Sequence, residues 1–274
     1  EMENCDVVLH LAAQVAVTTS VANPRRDFEV NALGTINLLE ALRQHSPKTL
    51  LLYSSTNKVY GSLTGLRIRT LEKRYELEGC PEGIGEDQPL DFHSPYGCSK
   101  GAADAYVVDY ARIYGLRTLS LRQSCIYGYR QFGVEDQGWV AWFTIAHLLG
   151  RPLTLYGDGR QVRDLLFIDD LTDCYRNALA ALEKSPGLAG RAFNIGGGPR
   201  NALSLLECVE ILTEMSGKPV AVSFADARPG DQRIFVADIR SAASALGWTP
   251  RVAVRDGMQR LADWVAAHLD LFRR

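Results

Sequence analysis

Two features that mark nucleic-acid-binding and membrane proteins are missing from this sequence. No run of lysine and arginine stands out, and the formal net charge of the 274 residues is −2. Nothing therefore indicates binding to nucleic acid or to an anionic membrane surface. There is no secretory signal. The most apolar stretch, Trp139 to Leu149, has about half of the ~20 residues that a membrane-spanning helix needs, so it is interpreted as a buried helix.

Cysteine pairs of the kind that bind metal are also missing. The six cysteines are scattered and form no Cys-x-x-Cys pair, which argues against a zinc site and against a disulfide framework. Free cysteines suit a reducing compartment, so a cytoplasmic location is expected. Apolar residues make up 46% of the chain, which predicts a globular protein with a substantial core.

The beginning of the sequence is unusual. The first residue is Glu1 rather than methionine, and a polar tail, Glu1 to Asn4, leads at once into a strand that looks buried. Natural chains rarely begin in this way. The sequence is therefore interpreted as a fragment or as the product of an incorrect start site.

The first half has the alternation of strands and helices that is typical of a parallel sheet. Continuous apolar strands are predicted at Val7–Ala13, Thr49–Ser55 and Leu116–Ser124. Helices begin at Asn23-Pro24 and Ser94-Pro95, where a capping side chain precedes proline, and Gly115 is placed to end the second helix. The polar segment of residues 62–93 lacks periodicity and is predicted to be a long functional loop.

The second half is predicted to form a smaller mixed lobe. Residues 1–128 and 164–198 are expected to form an incomplete doubly wound parallel sheet with its helices, and residues 129–163 and 199–274 the smaller lobe. Helices are predicted at 139–149, 171–183, 204–216, 238–246 and 254–269, and strands at 152–156, 164–168, 192–195 and 220–224.

The strongest chemical signal is Tyr96-x-x-x-Lys100 at the start of a predicted helix. Residues four apart lie on one helix face, and a neighbouring ammonium lowers the pKa of a phenol. The tyrosine can then remove a proton from a sugar hydroxyl as hydride leaves the same carbon. The alternative is a surface tyrosine above a solvated lysine.

A cluster of hydroxyl side chains supports the first interpretation. The run Ser54 to Gly61 follows a predicted strand, at the carboxyl edge of the sheet where ligands bind in doubly wound folds. A hydroxyl there can hold the reacting oxygen of a sugar. The alternative is a polar strand end with ordinary turn residues.

These motifs, taken together, resemble the extended short-chain dehydrogenase/reductase family. Further matches are His10-Leu11-Ala12-Ala13-Gln14, Asn31-x-x-Gly34-Thr35-x-Asn37, Arg163-Asp164-x-x-x-Ile168-Asp169-Asp170, Phe193-Asn194-Ile195-Gly196-Gly197 and Arg228-Pro229-Gly230-Asp231. Within the family, residues 55–61, 90–104, 130–132 and 136–140 resemble the 2-epimerases of CDP-linked 3,6-dideoxyhexoses. The resemblance implies a nucleotide-sugar epimerase with tightly bound NAD. Residues 1–128 and 164–198 would be its incomplete NAD-binding Rossmann domain, and residues 129–163 and 199–274 its nucleotide-sugar-binding lobe. Such enzymes are usually homo-oligomers that pair through the helices near residues 24–45 and 94–114.

The resemblance also implies a role for each matching residue. Catalysis would fall to Tyr96 as base, Lys100 and Thr56; NAD would contact Leu11, Ala12, Gln14, Asn31, Ser54, Tyr96, Lys100 and Gln123; and the substrate would contact Asn57, Lys58, Arg163 and Arg228. Arginine pairs suit a diphosphate because their planar forks match phosphate oxygens. Arg163 could instead belong to a structural salt bridge.

Three departures from the family pattern affect these expectations. The Gly-x-x-Gly-x-x-Gly turn and the acidic residue for the adenosine ribose do not occur in the sequence, so weak NAD binding and poor solubility are expected of these 274 residues alone. Cys125 stands where many family members have asparagine. Asn57-Lys58 replaces the Asp-Glu pair of sugar 4,6-dehydratases, and an amide and an ammonium cannot expel water as that pair does.

Two alternatives to the 2-epimerase remain open from the sequence. A UDP-sugar 4-epimerase would share all the catalytic residues. A truncated, non-catalytic protein would bind a nucleotide sugar without redox chemistry.

Overall fold

The computed structural model describes residues 5–228 and 230–273. The polar tail Glu1 to Asn4 and Pro229 of the Arg-Pro-Gly-Asp motif lie outside the described residues. The strands are β1 Val7–His10, β2 Leu50–Thr56, β3 Ile68–Thr70, β4 Tyr75–Leu77, β5 Arg117–Gln123, β6 Cys125–Tyr127, β7 Leu153–Tyr156, β8 Val162–Phe167, β9 Arg191–Ile195, β10 Ala202–Ser204, β11 Val222–Ala225 and β12 Ile234–Phe235.

The helices follow the predicted caps closely. They are α1 Val17–Ala22, α2 Pro24–Phe28, α3 Gly34–His45, α4 Ser94–Tyr114, α5 Trp139–Leu148, α6 Ile168–Lys184, α7 Leu205–Ser216, α8 Arg240–Leu246 and α9 Val254–Ala267. Asn23 caps α2 by accepting a hydrogen bond from the backbone N–H of Arg26 at 3.1 Å. Gly115 ends α4 in the left-handed conformation, at φ 70°.

The predicted parallel α/β architecture is confirmed. A parallel sheet runs in the order β1-β2-β5-β9. Helices α3 and α4 cover one face of this sheet through Leu39, Leu42 and Val107. On the other face, α6 packs against the leucines of β2 and β5, and α8 packs against β9 and α6 in the same core. Because both faces are covered, β2 and β5 read as nearly continuous buried strands.

The first strand differs from its prediction in two ways. It ends at His10 rather than at Ala13, and it lies at the edge of the sheet. Its side chains alternate between exposed and half-buried, and Leu9 is 42% exposed. The apolar composition of this segment predicted burial on both faces, but the described residues cover it only in part.

The predicted long helix after Pro24 is also interrupted. A π-helical turn, Glu29–Leu33, joins α2 to α3. Such a turn rotates one side chain out of the regular helical repeat and is frequent at functional sites. Here it lies at Asn31, which is buried. Phe28 belonged to the predicted apolar stripe but is 53% exposed.

The mixed lobe is built around β8. This strand pairs with β10 antiparallel and with β12 and β6 parallel. Strands β7 and β11 form a second, parallel pair. Helices α5, α7 and α9 enclose an apolar core that includes Phe143, Leu212 and Leu261. In the described residues, no helix has both the length and the apolarity needed to cross a membrane.

Two structural features bear on the domain division, which stays a prediction. The boundary at residue 164 falls inside β8, which runs unbroken through residues 162–167 and pairs with β6. Helix α8 was assigned to the substrate lobe, but Ala242, Leu246 and Trp248 pack into the core beneath the parallel sheet. These apolar positions cannot be assigned from periodicity alone, because a helical stripe does not reveal which sheet it covers.

The polar segment of residues 62–93 is not a structureless loop. Strands β3 and β4 pair there as an antiparallel hairpin. Leu63, Leu77 and Ile84 are buried against Val236 and Phe235 in a local core. This segment therefore folds against the later part of the chain, a long-range contact that its charged composition did not indicate.

Candidate active site

The carboxyl end of β2 presents the first functional side chains. Thr56 caps the following 3-10 helix, Asn57–Tyr60, by accepting a hydrogen bond from the backbone N–H of Lys58 at 3.2 Å. The turn closes at Gly61, where φ is 64° and an added Cβ would lie 2.0 Å from the carbonyl oxygen of Asp91. Only glycine fits there, which explains the Gly61 of the motif.

Helix α4 brings Tyr96 beside Thr56. Tyr96 lies in the first turn of α4 and is 8% exposed. Burial raises the pKa of its phenol to about 12, and a hydrogen bond with Thr56 acts in the opposite direction. The contact between Tyr96 and Thr56 is the arrangement expected of a proton-transferring tyrosine and its supporting hydroxyl.

Lys100 occupies a different position from the one expected. Its ammonium donates a hydrogen bond to the carbonyl oxygen of Ser54 at 2.5 Å and lies 4.2 Å from the ring centre of Tyr53. Burial lowers the pKa of Lys100 to about 7. The role predicted for Lys100, to lower the pKa of Tyr96, stays a prediction. In this structure the ammonium is bonded to the strand, and desolvation is the largest cause of the pKa shift of both groups.

The turn after β1 is braced from α2 and the π-helical turn. Asn31 accepts a hydrogen bond from the backbone N–H of Gln14 at 2.8 Å and donates one to the carbonyl oxygen of Gln14 at 3.1 Å. The Gln14 amide donates to Asp27 at 2.8 Å. Of the four turn residues expected near the cofactor (Leu11, Ala12, Gln14 and Asn31), only Leu11 lines the cavity described below. Gln14 and Asn31 do not line the cavity and instead stabilise the turn through these hydrogen bonds.

Gln123, at the end of β5, is held by a residue that the sequence did not reveal. Its amide donates a hydrogen bond to the hydroxyl of Tyr175 at 2.6 Å. Tyr175 lies on α6 and also hydrogen bonds to Ser54. The periodicity of α6 indicated only a buried face, so no local signal distinguished this tyrosine from a core residue.

Arg163 and Lys58 contact the same carboxylate oxygen. Arg163 donates to Asp231 at 2.7 Å and to the carbonyl oxygen of Gln232 at 2.6 Å. The Lys58 ammonium lies 3.5 Å from the same oxygen of Asp231. Burial, the largest cause, and the nearby Arg163 lower the pKa of Lys58 to about 8. Arg163 is thus a salt-bridge residue, as the alternative interpretation held, and it also lines the cavity.

Arg228 is arranged differently from Arg163. Its guanidinium carbon lies 3.8 Å from the ring centre of Tyr156. It forms an ion pair with Asp136 at 2.9 Å and donates to the carbonyl oxygen of Glu135 at 3.1 Å. Arginine stacked on an aromatic ring keeps its edge available to an anion.

One cavity of about 440 Å³ brings most of these residues together. Its volume falls in the range of small-ligand sites. The predicted site residues on its wall are Leu11, Ser54, Thr56, Asn57, Lys58, Tyr96, Lys100, Gln123, Arg163 and Arg228. Asn57 faces Gln232, with its amide nitrogen 3.5 Å from the Gln232 amide oxygen. Within the described residues, no three His, Cys, Asp or Glu side chains gather as a metal site.

Known proteins of one family resemble this chain in sequence and in structure. A family model described as GDP-mannose 4,6 dehydratase, of the extended short-chain dehydrogenase/reductase type, matches residues 1–261. The chain belongs to this family. It is 48% identical over 267 residues to CDP-paratose 2-epimerase of Salmonella typhi, an alignment that covers 96% of this chain and 78% of that protein.

Solved structures of the family superpose closely on the chain. UDP-glucose 4-epimerase of Thermus thermophilus in complex with NAD has a TM-score of 0.81 at 33% identity, covering 96% of this chain and 78% of that one. MoeE5 in complex with UDP-glucose and NAD has a TM-score of 0.84 at 28% identity, covering 98% and 81%. The parallel sheet and the mixed lobe thus share the fold of proteins solved with a dinucleotide and a sugar nucleotide.

The donor set at the sheet edge fits the nicotinamide and ribose end of such a dinucleotide. Hydroxyls of Ser54 and Thr56, the amide of Gln123 and the ammonium of Lys100 line one wall of the cavity at the carboxyl ends of β2 and β5 and on α4. Ligands of doubly wound sheets bind at this edge. The part of the lining that the mixed lobe contributes, the lobe wall, carries Arg163 and Arg228, which suit a diphosphate.

Several cavity residues were missed by sequence reasoning. Asp231 was noted only as part of a motif, and Gln161 and Tyr156 were not singled out. The run Tyr156-Gly157-Asp158-Gly159-Arg160-Gln161 contains two glycines with positive φ, Gly157 at 83° and Gly159 at 76°. That pattern predicts a tight turn next to β8, which is the signal that could have placed Gln161 beside Arg163.

Proposed function

We propose that this protein interconverts CDP-paratose and CDP-tyvelose by transient oxidation at C2 of the sugar, with NAD held in the cavity. The observation that carries the proposal is the convergence of Tyr96, Thr56 and Lys100 with the two arginines on one cavity. In one cavity, the first three residues can act at the sugar and the two arginines can bind the diphosphate, so a nucleotide sugar would be held at both ends. The 48% identity to CDP-paratose 2-epimerase supports the substrate.

The roles of the chain's own residues follow from their contacts. Tyr96, in its phenolate form, accepts the proton of the sugar hydroxyl. The hydrogen bond with Thr56 favours that form, and Thr56 also orients the hydroxyl. NAD, when bound, supplies a reversible acceptor for the hydride of the sugar C–H bond. Lys100 holds the ribose hydroxyls of the cofactor, Gln123 and Ser54 line the nicotinamide end, and Leu11 and Ala12 lie on the turn beside it.

The second half of the reaction reverses the first on the other face of the sugar. Loss of a proton from the hydroxyl and of a hydride from C2 leaves a 2-keto sugar. The sugar turns while Arg163 and Arg228 retain the diphosphate, and the carbon then regains the hydride on its opposite face. Tyr96 returns the proton to the oxygen. The atoms balance without water, so the product differs from the substrate only in configuration.

Dehydration is disfavoured by the residues after Thr56. A 4,6-dehydratase needs an acid and a base to expel water, whereas this chain has Asn57 and Lys58. Asn57 is buried against Gln232, and Lys58 is paired with Asp231. Neither side chain is a carboxylate, which supports epimerisation rather than elimination. We propose that Lys58 and Asn57 contact the sugar.

The deciding experiment follows a label. CDP-paratose carrying deuterium at C2 should give CDP-tyvelose that still carries it at C2, because the hydride does not exchange with water. Loss of this label to solvent would mean deprotonation and reprotonation at carbon. Inversion at C4 with C2 untouched, measured in parallel with UDP-sugars, would make the protein a 4-epimerase, as the UDP-glucose 4-epimerase relatives are named. Purified full-length protein without any turnover would identify a binding protein instead.

The location and assembly of the protein are part of the same proposal. All six cysteines are free thiols, which supports a cytoplasmic location. Apolar side chains on α4 and on the π-helical turn before α3 are exposed, among them Leu33, Tyr106 and Ile113. Such a surface supports pairing of two copies through these helices. Sedimentation of the purified protein tests it: a monomer at micromolar concentration would contradict the pairing.

A further inference from the structure

One section of the cavity wall beyond the carboxyl end of β5 is apolar. Cys125, Trp139 and Phe143 all line the cavity of about 440 Å³. The Cys125 thiol hydrogen bonds to Trp139, and the rings of Trp139 and Phe143 meet edge to face with their centres 5.5 Å apart. The three side chains therefore form one continuous surface, the apolar section.

The apolar section offers a ligand almost no polar atoms. Phe143 is a hydrocarbon side chain, and the one polar group of Trp139, its indole N–H, donates to the Cys125 sulfur. Burial raises the pKa of the Cys125 thiol to about 11, so the thiol stays neutral. A buried neutral thiol behaves as a small apolar group. A hydroxyl placed against this surface would therefore lose its bonds to water and find only a weak partner.

The place of Cys125 in the fold puts the apolar section beside the sugar of the proposed substrate. Cys125 begins β6, two residues after Gln123, which pairs with Thr56 in the parallel sheet. On its other side Cys125 pairs with Leu165 of β8, two residues after Arg163. Arg163 also lies close enough to act on the thiol electrostatically. A nucleotide sugar with its sugar at Thr56 and its diphosphate at Arg163 therefore has its hexose ring beside Cys125.

We propose that the apolar section selects a deoxygenated sugar and that Cys125 determines this specificity, an inference that rests on the proposed function. The sugar of CDP-paratose is a 3,6-dideoxyhexose, with a methylene at C3 and a methyl group at C6 where glucose has alcohols. These carbons need no hydrogen bond when they pack against Cys125, Trp139 and Phe143. An alcohol in the same place is left without a strong partner, so hexoses that keep these hydroxyls are rejected.

The test compares the dissociation constants of CDP-paratose and CDP-glucose by calorimetry. The parent protein is full-length Tyr96→Phe with NAD bound, so that the sugar is not converted during the titration. It should bind CDP-glucose about 5- to 150-fold more weakly than CDP-paratose, the range for a buried polar group that is left unpaired. Equal affinities would overturn the proposal, and this comparison requires no substitution in the apolar section.

Two substitutions at one position then test the role of Cys125. Cys125→Ser adds a strong hydrogen-bonding group and should bring the two affinities closer by about 2- to 12-fold, the range of a neutral hydrogen bond. Cys125→Ala removes the thiol without adding a polar group and should keep the ratio of the parent. Cys98→Ser, at an exposed cysteine of α4, is the control for the chemical change and should also keep it. An unchanged ratio in Cys125→Ser, or an equal change in Cys125→Ala, would contradict the assignment.

Binding of CDP without a sugar separates this proposal from a role toward the nucleotide. CDP should bind the parent, Cys125→Ser and Cys125→Ala equally. If Cys125→Ser lost as much affinity for CDP as for CDP-paratose, the section would contact the nucleotide and the proposal would be wrong. The proposed function fails separately, because absence of C2 inversion leaves both dissociation constants measurable. Absence of binding of either CDP-sugar to the parent would overturn both proposals.

Discussion

The two walls of the cavity favour different charge states of their side chains. On the sheet wall, Tyr96 and Lys100 are buried, and no residue in the described part of the chain forms an ion pair with them. Burial moves the pKa of the phenol up to about 12 and that of the ammonium down to about 7. On the lobe wall, Arg163 and Arg228 each form an ion pair, with Asp231 and Asp136. Desolvation thus favours neutral groups that exchange protons, whereas pairing preserves the cations that bind anions.

A third region lies behind the sheet wall and combines both features. Asp104 on α4 and Arg122 on β5 form a buried ion pair at 2.8 Å, with side chains 1% and 8% exposed. Asp104 also accepts hydrogen bonds from Ser55 at 2.6 Å and from Ser120. This network ties α4, which carries Tyr96 and Lys100, to the two central strands. The geometry of the sheet wall therefore depends on a charge pair that the substrate does not reach.

The largest effect is expected where a proton is transferred. Tyr96→Phe in the full-length protein should keep the fold and the nucleotide affinity and lower kcat about 10²- to 10⁴-fold, because the phenolic oxygen is lost. Steady-state kinetics with CDP-paratose measures the change, and circular dichroism checks the fold. A variant within a few-fold of the wild type would show that another residue takes the proton.

The second-largest effect is expected on stability, when the buried ion pair of Asp104 and Arg122 behind the sheet wall is broken. Asp104→Asn should lower the free energy of unfolding by about 3–5 kcal/mol, because Arg122 is left as an uncompensated buried charge. Urea denaturation provides the measurement. Asp109→Asn, on the same helix, breaks an exposed ion pair with Arg112 and should cost at most about 1 kcal/mol. Equal losses in the two variants would contradict the structural role of Asp104.

A smaller effect is expected on the lobe wall. Arg163→Ala and Arg228→Ala should each weaken CDP binding by about 1.5–3 kcal/mol, the range of hydrogen bonds to charged groups. Calorimetry at fixed ionic strength measures the loss. Arg25→Ala, whose side chain is 90% exposed on α2, is the control and should bind CDP like the wild type. Unchanged affinity in both cavity variants would place the diphosphate elsewhere.

The smallest effect tests the buried lysines. The pKa of Lys100 is about 7 and that of Lys58 about 8 in the folded protein, both below the usual 10.5. Between pH 7 and 8.5 the unfolded chain therefore binds more protons, and stability should rise with pH, by up to about 1.4 kcal/mol per pH unit for each group. Buried thiols such as Cys125 oppose this trend only above their usual value of 9.0.

Denaturation curves at several pH values measure this slope. Lys100→Met and Lys58→Met should each flatten it, whereas Lys48→Met, at an exposed position, should leave it unchanged. A wild-type stability that is flat or falls between pH 7 and 8.5 would mean that both ammonium groups stay protonated inside the fold.

The local sequence determined much of the fold. The cap at Asn23, the proline of α4 and the glycine at position 115 act within a few residues, so the helix ends could be predicted from them. The apolar runs of β2 and β5 predicted a parallel sheet because strands covered on both faces carry few polar side chains. The motif at Tyr96 and Lys100 and the hydroxyls after β2 were likewise visible in the chain itself.

Only the tertiary structure decided how these pieces meet. Lys58, Arg163 and Asp231 are far apart in sequence, and their contact depends on the packing of the mixed lobe against the sheet. The same holds for Tyr175 behind Gln123 and for the hairpin of residues 68–77. The pKa of Lys100 also depends on the tertiary structure. The sequence around Lys100 suggested an ammonium that acts on Tyr96, and in the structure this ammonium is buried against Ser54 and Tyr53. Desolvation depends on everything that is packed around a charge and not on what precedes it in the chain, so the sequence alone does not give this pKa.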